Sequence, residues 1–538
     1  MEMHREINGL LRWHENIARR RNAEQLGGFL NFRISAYRGV SVTSKIEVLQ
    51  SLELGARVAE DEVESLEKYF VETDQWSQIR SGRIDVVYGP KGSGKSALYT
   101  LLNRREDDFF DEGILLSSGE NVRGATVFSH VISEPPPSET AFIYLWKLYC
   151  LTLIARTLRD YDISNDAARA LVSSLEKAKL LPDSGVLSVM FRAVSSYIKR
   201  WFSRDAQAIE HAVTIDPSSG APTVSRKTEF REQSDEKNLA EIPADELLHF
   251  ANSALEKEGL KMWLLFDRLD VAFADSPDME RNALRALFRA YNDMKGFSSV
   301  ALKIFVRDDI WKRITKGGFT EASHITKTVN ITWSENSLMN LVVSRLVSNE
   351  IFSRYLEIDP EEIRKNYSDQ KEVFYRIAPE KVDTGRNPYT FGWILSRTVD
   401  ASGNPVPREV IHLLDTAKTI QIQKLERGED DPEGDILMDR AAFKDSLPQV
   451  SKTRFEQTLL AEYADVASYV TKLEGERAEQ TSTSLAQVWG VTEEQAGEMA
   501  RRLAEIGFFE VRGDKEAPSY WVPFIYRPAL NLVQGKAN

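Results

Sequence analysis

The sequence is poor in the residues that staple small folds together. It has one cysteine, Cys150, so no intramolecular disulfide can form and a Cys-rich zinc site is excluded. Its seven histidines are scattered without the spacing of metal ligands. Positive charge is also in deficit: 69 Lys and Arg stand against 82 Asp and Glu, for a net charge of −13. A chain of that sign repels phosphate backbones, so any contact with nucleic acid has to come from a local basic patch. Long hydrophobic runs are missing too. The opening MEMHREINGLLRWHENIARRR lacks the apolar core of a signal peptide. The most apolar stretch, Ala141–Ala155, contains Lys147 and reads as a buried helix too short to span a bilayer. These absences point to a cytoplasmic protein with no membrane partner. No internal repeat or low-complexity tract occurs.

What is present is an ordinary globular composition, 42% hydrophobic and 28% charged, over 538 residues. That length exceeds one compact core and implies two to four domains. Residues 1–75 read as mostly helical, most strongly over 56–73. Short apolar runs at Ile84–Tyr88, Met262–Phe266 and Ala301–Val306 read as buried strands, with Thr126–Ile132 and Thr328–Trp333 as further candidates. Helical patterns at Ala141–Arg159, 165–202, Ala244–Glu258 and Asp278–Lys295 alternate with them. This is the signature of a parallel α/β sheet, expected over 76–334 with a helical insertion at about 135–260. Within the insertion, 203–241 is polar and reads as a loop excursion. A helical lid is expected over 335–425. A linker over 426–451 contains the breaker-rich ERGEDDPEGD.

Residues 452–538 read as a winged helix-turn-helix. Helices are expected at Arg454–Leu473, Ser484–Trp489 and from Thr492, which forms a capping box with Gln495. The third helix carries an apolar stripe of Ala496, Met499, Ala500, Leu503 and Ile506, and Gly507 stands where a C-cap belongs. Strands at Phe508–Arg512 and Tyr520–Tyr526 would flank Gly513-Asp514.

The strongest chemical signal is Gly89-Pro90-Lys91-Gly92-Ser93-Gly94-Lys95-Ser96, which fits G-x-x-x-x-G-K-[ST] between a strand and a helix. Glycines let the backbone curl and aim its N–H groups at a β-phosphate. The helix that begins at Lys95, Ser96 and Ala97 adds its positive dipole end. Lys95 would supply charge to the β- and γ-phosphates, and Ser96 an oxygen to Mg²⁺. The expected ligands are therefore ATP and Mg²⁺. No N-K-x-D motif supports guanine selectivity. The run Leu116–Glu120 is too close behind the loop to be an ABC signature.

Asp267 ends the apolar strand Met262–Phe266 and would face the nucleotide crevice to hold Mg²⁺. Asp270, three residues on, could polarise the attacking water; alternatively both carboxylates cap the next helix. Arg307 ends another strand and could read the γ-phosphate, or pair with a neighbouring Asp. Arg408 falls in the first turn of a helix opened by GNPVPRE, where a lid could aim it at phosphates. Arg281, Arg285 and Arg289 share one helix face and read as a solvated surface or an arginine finger.

The segments LGARVAEDEVESLEKYFVET (54–73), YGPKGSGKSALY (88–99), LLFDRLD (264–270), KIFVRDDIW (303–311), ITWSENSLMNLVVSRL (331–346) and GNPVPRE (403–409) together resemble prokaryotic STAND/AAA+-like P-loop ATPases, of the type often associated with bacterial defence loci. The resemblance implies an ASCE-type sheet with a helical lid. It makes Asp267 the Walker B residue, places Arg307 in the sensor 1 region and matches Arg408 to the sensor 2 arginine. It also implies an oligomeric ATP-dependent switch. No nuclease, protease or deaminase constellation is visible in the sequence, so an effector is expected to be a separate protein encoded nearby. No Glu follows Asp267, a departure that points to slow hydrolysis. Two other readings stay open: a DNA-engaging AAA+ ATPase resembling origin-recognition or loader proteins, and a nucleotide-binding scaffold without turnover. Residues 452–538 carry ten Lys/Arg and thirteen Asp/Glu, net −3, with only Arg501 and Arg502 as an adjacent basic pair on the third helix. That balance favours a protein contact over DNA.

Overall fold

The computed structural model describes residues 44–55, 62, 66–121, 127–129, 138–182, 186–207, 211–215, 222–226, 243–269, 277–315, 319–514 and 517–537. The helical reading of 1–75 falls largely outside these. Where it can be compared, Lys45–Ser51 is a helix and Leu66–Tyr69 is a 3-10 turn rather than part of a long helix.

The strands, in chain order, are β1 (Val86–Gly89), β2 (Ile114–Ser118), β3 (His211–Ile215), β4 (Pro222–Arg226), β5 (Lys261–Phe266), β6 (Val300–Arg307), β7 (Thr328–Asn330), β8 (Arg477–Thr481), β9 (Glu510–Arg512), β10 (Ser519–Trp521) and β11 (Val533–Lys536). Five of them form one sheet in the order β2-β5-β6-β1-β7, with every neighbouring pair parallel. The expected α/β P-loop fold is therefore present. β6 lies between the strand that carries the loop and the strand that ends at Asp267, which is the extra strand of an ASCE-type sheet.

Both faces of the sheet are covered, which is why its strands read as unbroken apolar runs. Side chains alternate between the faces. Leu264 and Phe266 pack with the helix Glu139–Asp160, while Trp263 and Leu265 pack with the helix Lys95–Arg104. The helices expected as an insertion thus form one face of the sheet core. Glu139–Asp160 runs for 22 residues, long and apolar enough by length and composition to cross a membrane, contrary to the shorter run read from sequence. Burial decides its place instead: 83% of its most apolar window is inside the protein. Lys147 on this helix is held by Asp245 and Asp293, each at 2.7 Å.

Several local expectations change. The candidate strand Thr126–Ile132 contains a 3-10 turn, Val127–Ser129, and the neglected Ile114–Ser118 takes the edge of the sheet. The helical run 165–202 divides into Asp166–Lys177 and Leu187–Gln207. Part of the polar excursion is an antiparallel hairpin, β3 with β4, rich in β-branched residues.

The lid helices, from Glu335–Val347 to Pro407–Glu426, share one hydrophobic core with the C-terminal region, so Trp393 and Leu413 pack in the same cluster as Trp489 and Phe508. The span read as a linker holds the helix Arg440–Arg454, which packs against Pro407–Glu426. The single helix expected over Arg454–Leu473 is instead a π-helical turn (Phe455–Leu460), a 3-10 turn (Ala464–Val466) and a short helix (Ala467–Thr471). A π turn holds one more residue than an α turn and so re-aims the chain beyond it.

The winged helix is present. Its helices are Ser482–Trp489 and Glu493–Glu505, the second with the Thr492–Gln495 capping box formed as expected. Its strands are shorter than read, because Phe508 and Phe509 go into the core ahead of β9. Two strands escaped the sequence reading: the sheet order is β11-β8-β10-β9, and RAEQT and VQGK lack apolar alternation.

Candidate functional site

β1 delivers the chain into the loop at Gly89. Gly92 and Gly94 take φ of +84° and +99°, in the left-handed region that a Cβ disfavours. Gly94 is the N-cap of Lys95–Arg104, so the loop passes directly into the positive end of that helix. The space around the loop is tight. A Cβ on Gly89 would stand 2.8 Å from Ser93 Oγ and 3.2 Å from the Ile331 carbonyl oxygen. The indole N–H of Trp333 donates to the Ser93 carbonyl at 2.8 Å and pins the loop from the side of β7. The Lys95 ammonium is buried and donates to the Gly89 and Pro90 carbonyls at 2.8 and 2.9 Å. Such a backbone cradle with an interior ammonium suits an anion of several oxygens.

The loop lines a cleft of about 250 Å³. Lys91 to Ala97, Asp267, Arg307 and Arg408 all line it, so the fold brings together side chains up to some 300 residues apart in sequence. Leu66, Phe70, Leu341 and Ile411 give it an apolar wall. Asp267 is 4% exposed at the end of β5. The next residue, Arg268, holds φ at +56°, a strained value outside glycine that turns the chain sharply at the cleft. Asp270 lies outside the described residues.

β6 registers Arg307 directly opposite Gly89. Its guanidinium binds both oxygens of Asp309 at 3.0 Å and Glu462 at 2.6 Å. Arg307 therefore lines the cleft and also pairs with a neighbouring Asp, in a half-buried contact rather than at the surface. Burial works to raise the Asp309 carboxyl, but Arg307 and the Tyr463 hydroxyl outweigh it and hold it below the usual carboxylate range. Burial and the nearby Asp309 push the Tyr463 phenol upward.

Arg408 reaches the loop through its own helix. A Cβ on Gly92 would meet Arg408 Cβ at 2.9 Å, so the lid packs directly on a loop glycine. The neighbouring Glu409 is buried against Arg454 at 3.1 Å, and Arg454 also binds Asp400 at 2.8 Å. Arg281, Arg285 and Arg289 are engaged within the chain. Arg281 pairs with Asp278, Arg285 donates to the Ile314 carbonyl, and Arg289 binds Glu139 and Glu321.

The sequence reading missed Glu62, Arg345, Trp333, Glu462 and Tyr463. Glu62 and Arg345 line the cleft as a two-bond ion pair at 2.8 and 2.9 Å, both about 5% exposed, and Arg345 also donates to the Leu54 carbonyl. No motif marks these contacts, because each spans more than 150 residues of chain.

Among the described residues no three His, Cys, Asp or Glu gather as a metal site. Ser96 and Asp267 nevertheless fit Mg²⁺, which takes one or two protein oxygens and completes its shell with water and phosphate.

The strand order and the loop define an α/β P-loop NTPase fold with a helical lid and a C-terminal winged helix. No protein-family model and no curated protein matches the chain. Among solved structures, it is similar to the Aeropyrum pernix ORC1 protein in complex with DNA, at 10% identity and a TM-score of 0.36 over 89% of this chain and 97% of that one. A Walker-type ATPase of Pyrococcus abyssi matches at 11% identity and a TM-score of 0.38, over 85% and 95%. The Aeropyrum pernix ORC2 protein with ADPNP and ADP matches at 11% and 0.28, over 88% and 91%.

Proposed function

We propose that the cleft binds ATP with Mg²⁺ and that the chain is a slow ATPase acting as a conformational switch. The observation that carries this reading is the packing of Arg408 on Gly92 beside the Glu409–Arg454 pair. A phosphate in the loop and the C-terminal region then bear on the same turn of helix. Lys95 binds the β- and γ-phosphates, Ser96 and Asp267 hold the ion, and Arg307 and Arg408 read the γ-phosphate. Oligomerisation, a separate effector and a role in antiphage defence extend this proposal, in a cytoplasmic protein.

Phosphate release and ATP binding by wild type, both lost in Lys95→Ala and release alone lost in Asp267→Asn, is the expected result. Binding without any release in wild type would leave a nucleotide-binding scaffold. A mass unchanged by ATP would sink the assembling switch.

The winged helix supports a DNA-engaging ATPase as the second reading. Against it, Arg502 lies 3.8 Å from Asp465 and over the Tyr463 ring, which sets a carboxylate beside half of the basic pair. A salt-dependent DNA shift abolished by Arg501→Ala with Arg502→Ala would reverse the preference.

A further inference from the structure

Outside the motifs, one acidic side chain reaches the phosphate loop from the far end of the chain. Glu462 lies just beyond the π-helical turn Phe455–Leu460 and is 15% exposed. One carboxylate oxygen contacts the Lys91 ammonium of the loop, and the other accepts from Arg307 at 2.6 Å. The next residue, Tyr463, donates to Asp309 at 3.1 Å and stands 3.3 Å from Arg307. Two cations of the cleft, Lys91 and Arg307, are thus matched by two carboxylates, Glu462 and Asp309. Glu462 is the one supplied by the C-terminal region. On its other side the Tyr463 ring carries Arg502 of the helix Glu493–Glu505 at 5.7 Å.

We infer that Glu462 is a γ-phosphate surrogate in cis: it occupies Lys91 and Arg307 until the third phosphate of a nucleoside triphosphate takes them, which releases the 461–466 segment. The inference rests on the reading of this cleft as a nucleotide site. The Glu462 carboxylate gives one oxygen to Lys91 and the other to Arg307, and a terminal phosphate can offer anionic oxygens to the same two cations, so the two groups compete for them. The triphosphate carries the larger charge and the helix dipole favours it, whereas the carboxylate has the advantage of being tethered. A diphosphate satisfies the loop and Lys95 without a third phosphate to displace Glu462. The segment released is the one against which Arg502 packs, so the state of the cleft reaches the second helix of the winged fold through two residues, Glu462 and Tyr463. Glu462 and Tyr463 are positioning residues in this scheme.

The test uses the full chain as wild type, Glu462→Gln, Tyr463→Phe and Glu456→Gln, the last an exposed control in the preceding π-helical turn. Affinities for fluorescent ATP and ADP analogues with Mg²⁺ are measured together with hydrogen exchange over 455–471. Glu462→Gln should tighten ATP about tenfold, the factor that about 1.4 kcal/mol represents, and leave ADP within about twofold. Tyr463→Phe should tighten ATP about threefold, and Glu456→Gln should change neither. In wild type, exchange over 461–466 should rise with ATP and not with ADP; in Glu462→Gln it should be high throughout. An ATP affinity unchanged or weakened in a Glu462→Gln protein that melts like wild type would overturn the inference, as would exchange that falls with ATP. Should wild type bind neither nucleotide, the reading of the cleft fails. Exchange without nucleotide then still decides on the latch: higher in Glu462→Gln supports it, equal to wild type refutes it.

Discussion

The contact between Gly92 and Arg408 can be broken and repaired with two small substitutions. Gly92→Ala places a Cβ on a backbone at φ +84°, a left-handed conformation that costs about 1–2 kcal/mol for an L-residue. The new atom would stand 2.9 Å from Arg408 Cβ, against about 3.5–4.0 Å for an ordinary carbon contact, so the lid helix has to retreat. Overpacking of that kind costs about 1–3 kcal/mol. The two terms bring Gly92→Ala to about 2–5 kcal/mol. Arg408→Gly removes the opposing Cβ and costs about 1 kcal/mol as a helical glycine. In the double variant the steric part disappears and the backbone part stays. The cycle should therefore show a favourable coupling of about 1–3 kcal/mol. Hydrogen exchange over 90–98 and 403–411 in nucleotide-free protein reads it as local opening free energy. Using nucleotide-free protein keeps the phosphate contact proposed for Arg408 out of the measurement. Strict additivity, or a Gly92→Ala protein as protected as wild type, would refute the claim that the lid rests on the loop.

Two further predictions concern the buried charges. Arg345→Met leaves Glu62 buried without its guanidinium and should cost about 3–5 kcal/mol in denaturant unfolding, while Glu62→Leu with Arg345→Met should return to within about 1 kcal/mol of wild type. A single variant as stable as wild type would show that the pair does not tie Glu62 to the lid. Asp309 has a depressed folded pKa, so its contribution is present above its unfolded value of about 3.9 and is lost as pH falls through the folded value. The melting difference between wild type and Asp309→Asn should therefore be flat from pH 7 to 5 and shrink below about pH 4; a difference unchanged to pH 3 would contradict it.

Local chemistry made much of this protein legible in its sequence. The Gly89–Ser96 loop could be read because glycine spacing, a Lys and a Ser encode a backbone shape within eight residues. Asp267 was legible because a buried parallel strand is a continuous apolar run with an abrupt charged end. The Thr492–Gln495 cap was legible because both partners lie within one helical turn. Where the pattern was weak, the reading failed: β8 and β11 have no apolar alternation, and the π turn at Phe455–Leu460 has the composition of any helix.

Only the tertiary structure decided which distant charges meet. Arg307 could face the cleft or pair with Asp309, and the register of β6 against β1 allows both, by setting it opposite Gly89 while its guanidinium binds Asp309. Glu462 carried no signal at all. Its position depends on a lid and a winged helix that share one core, and that core is closed by apolar side chains whose sequence pattern says that they are buried but not against what.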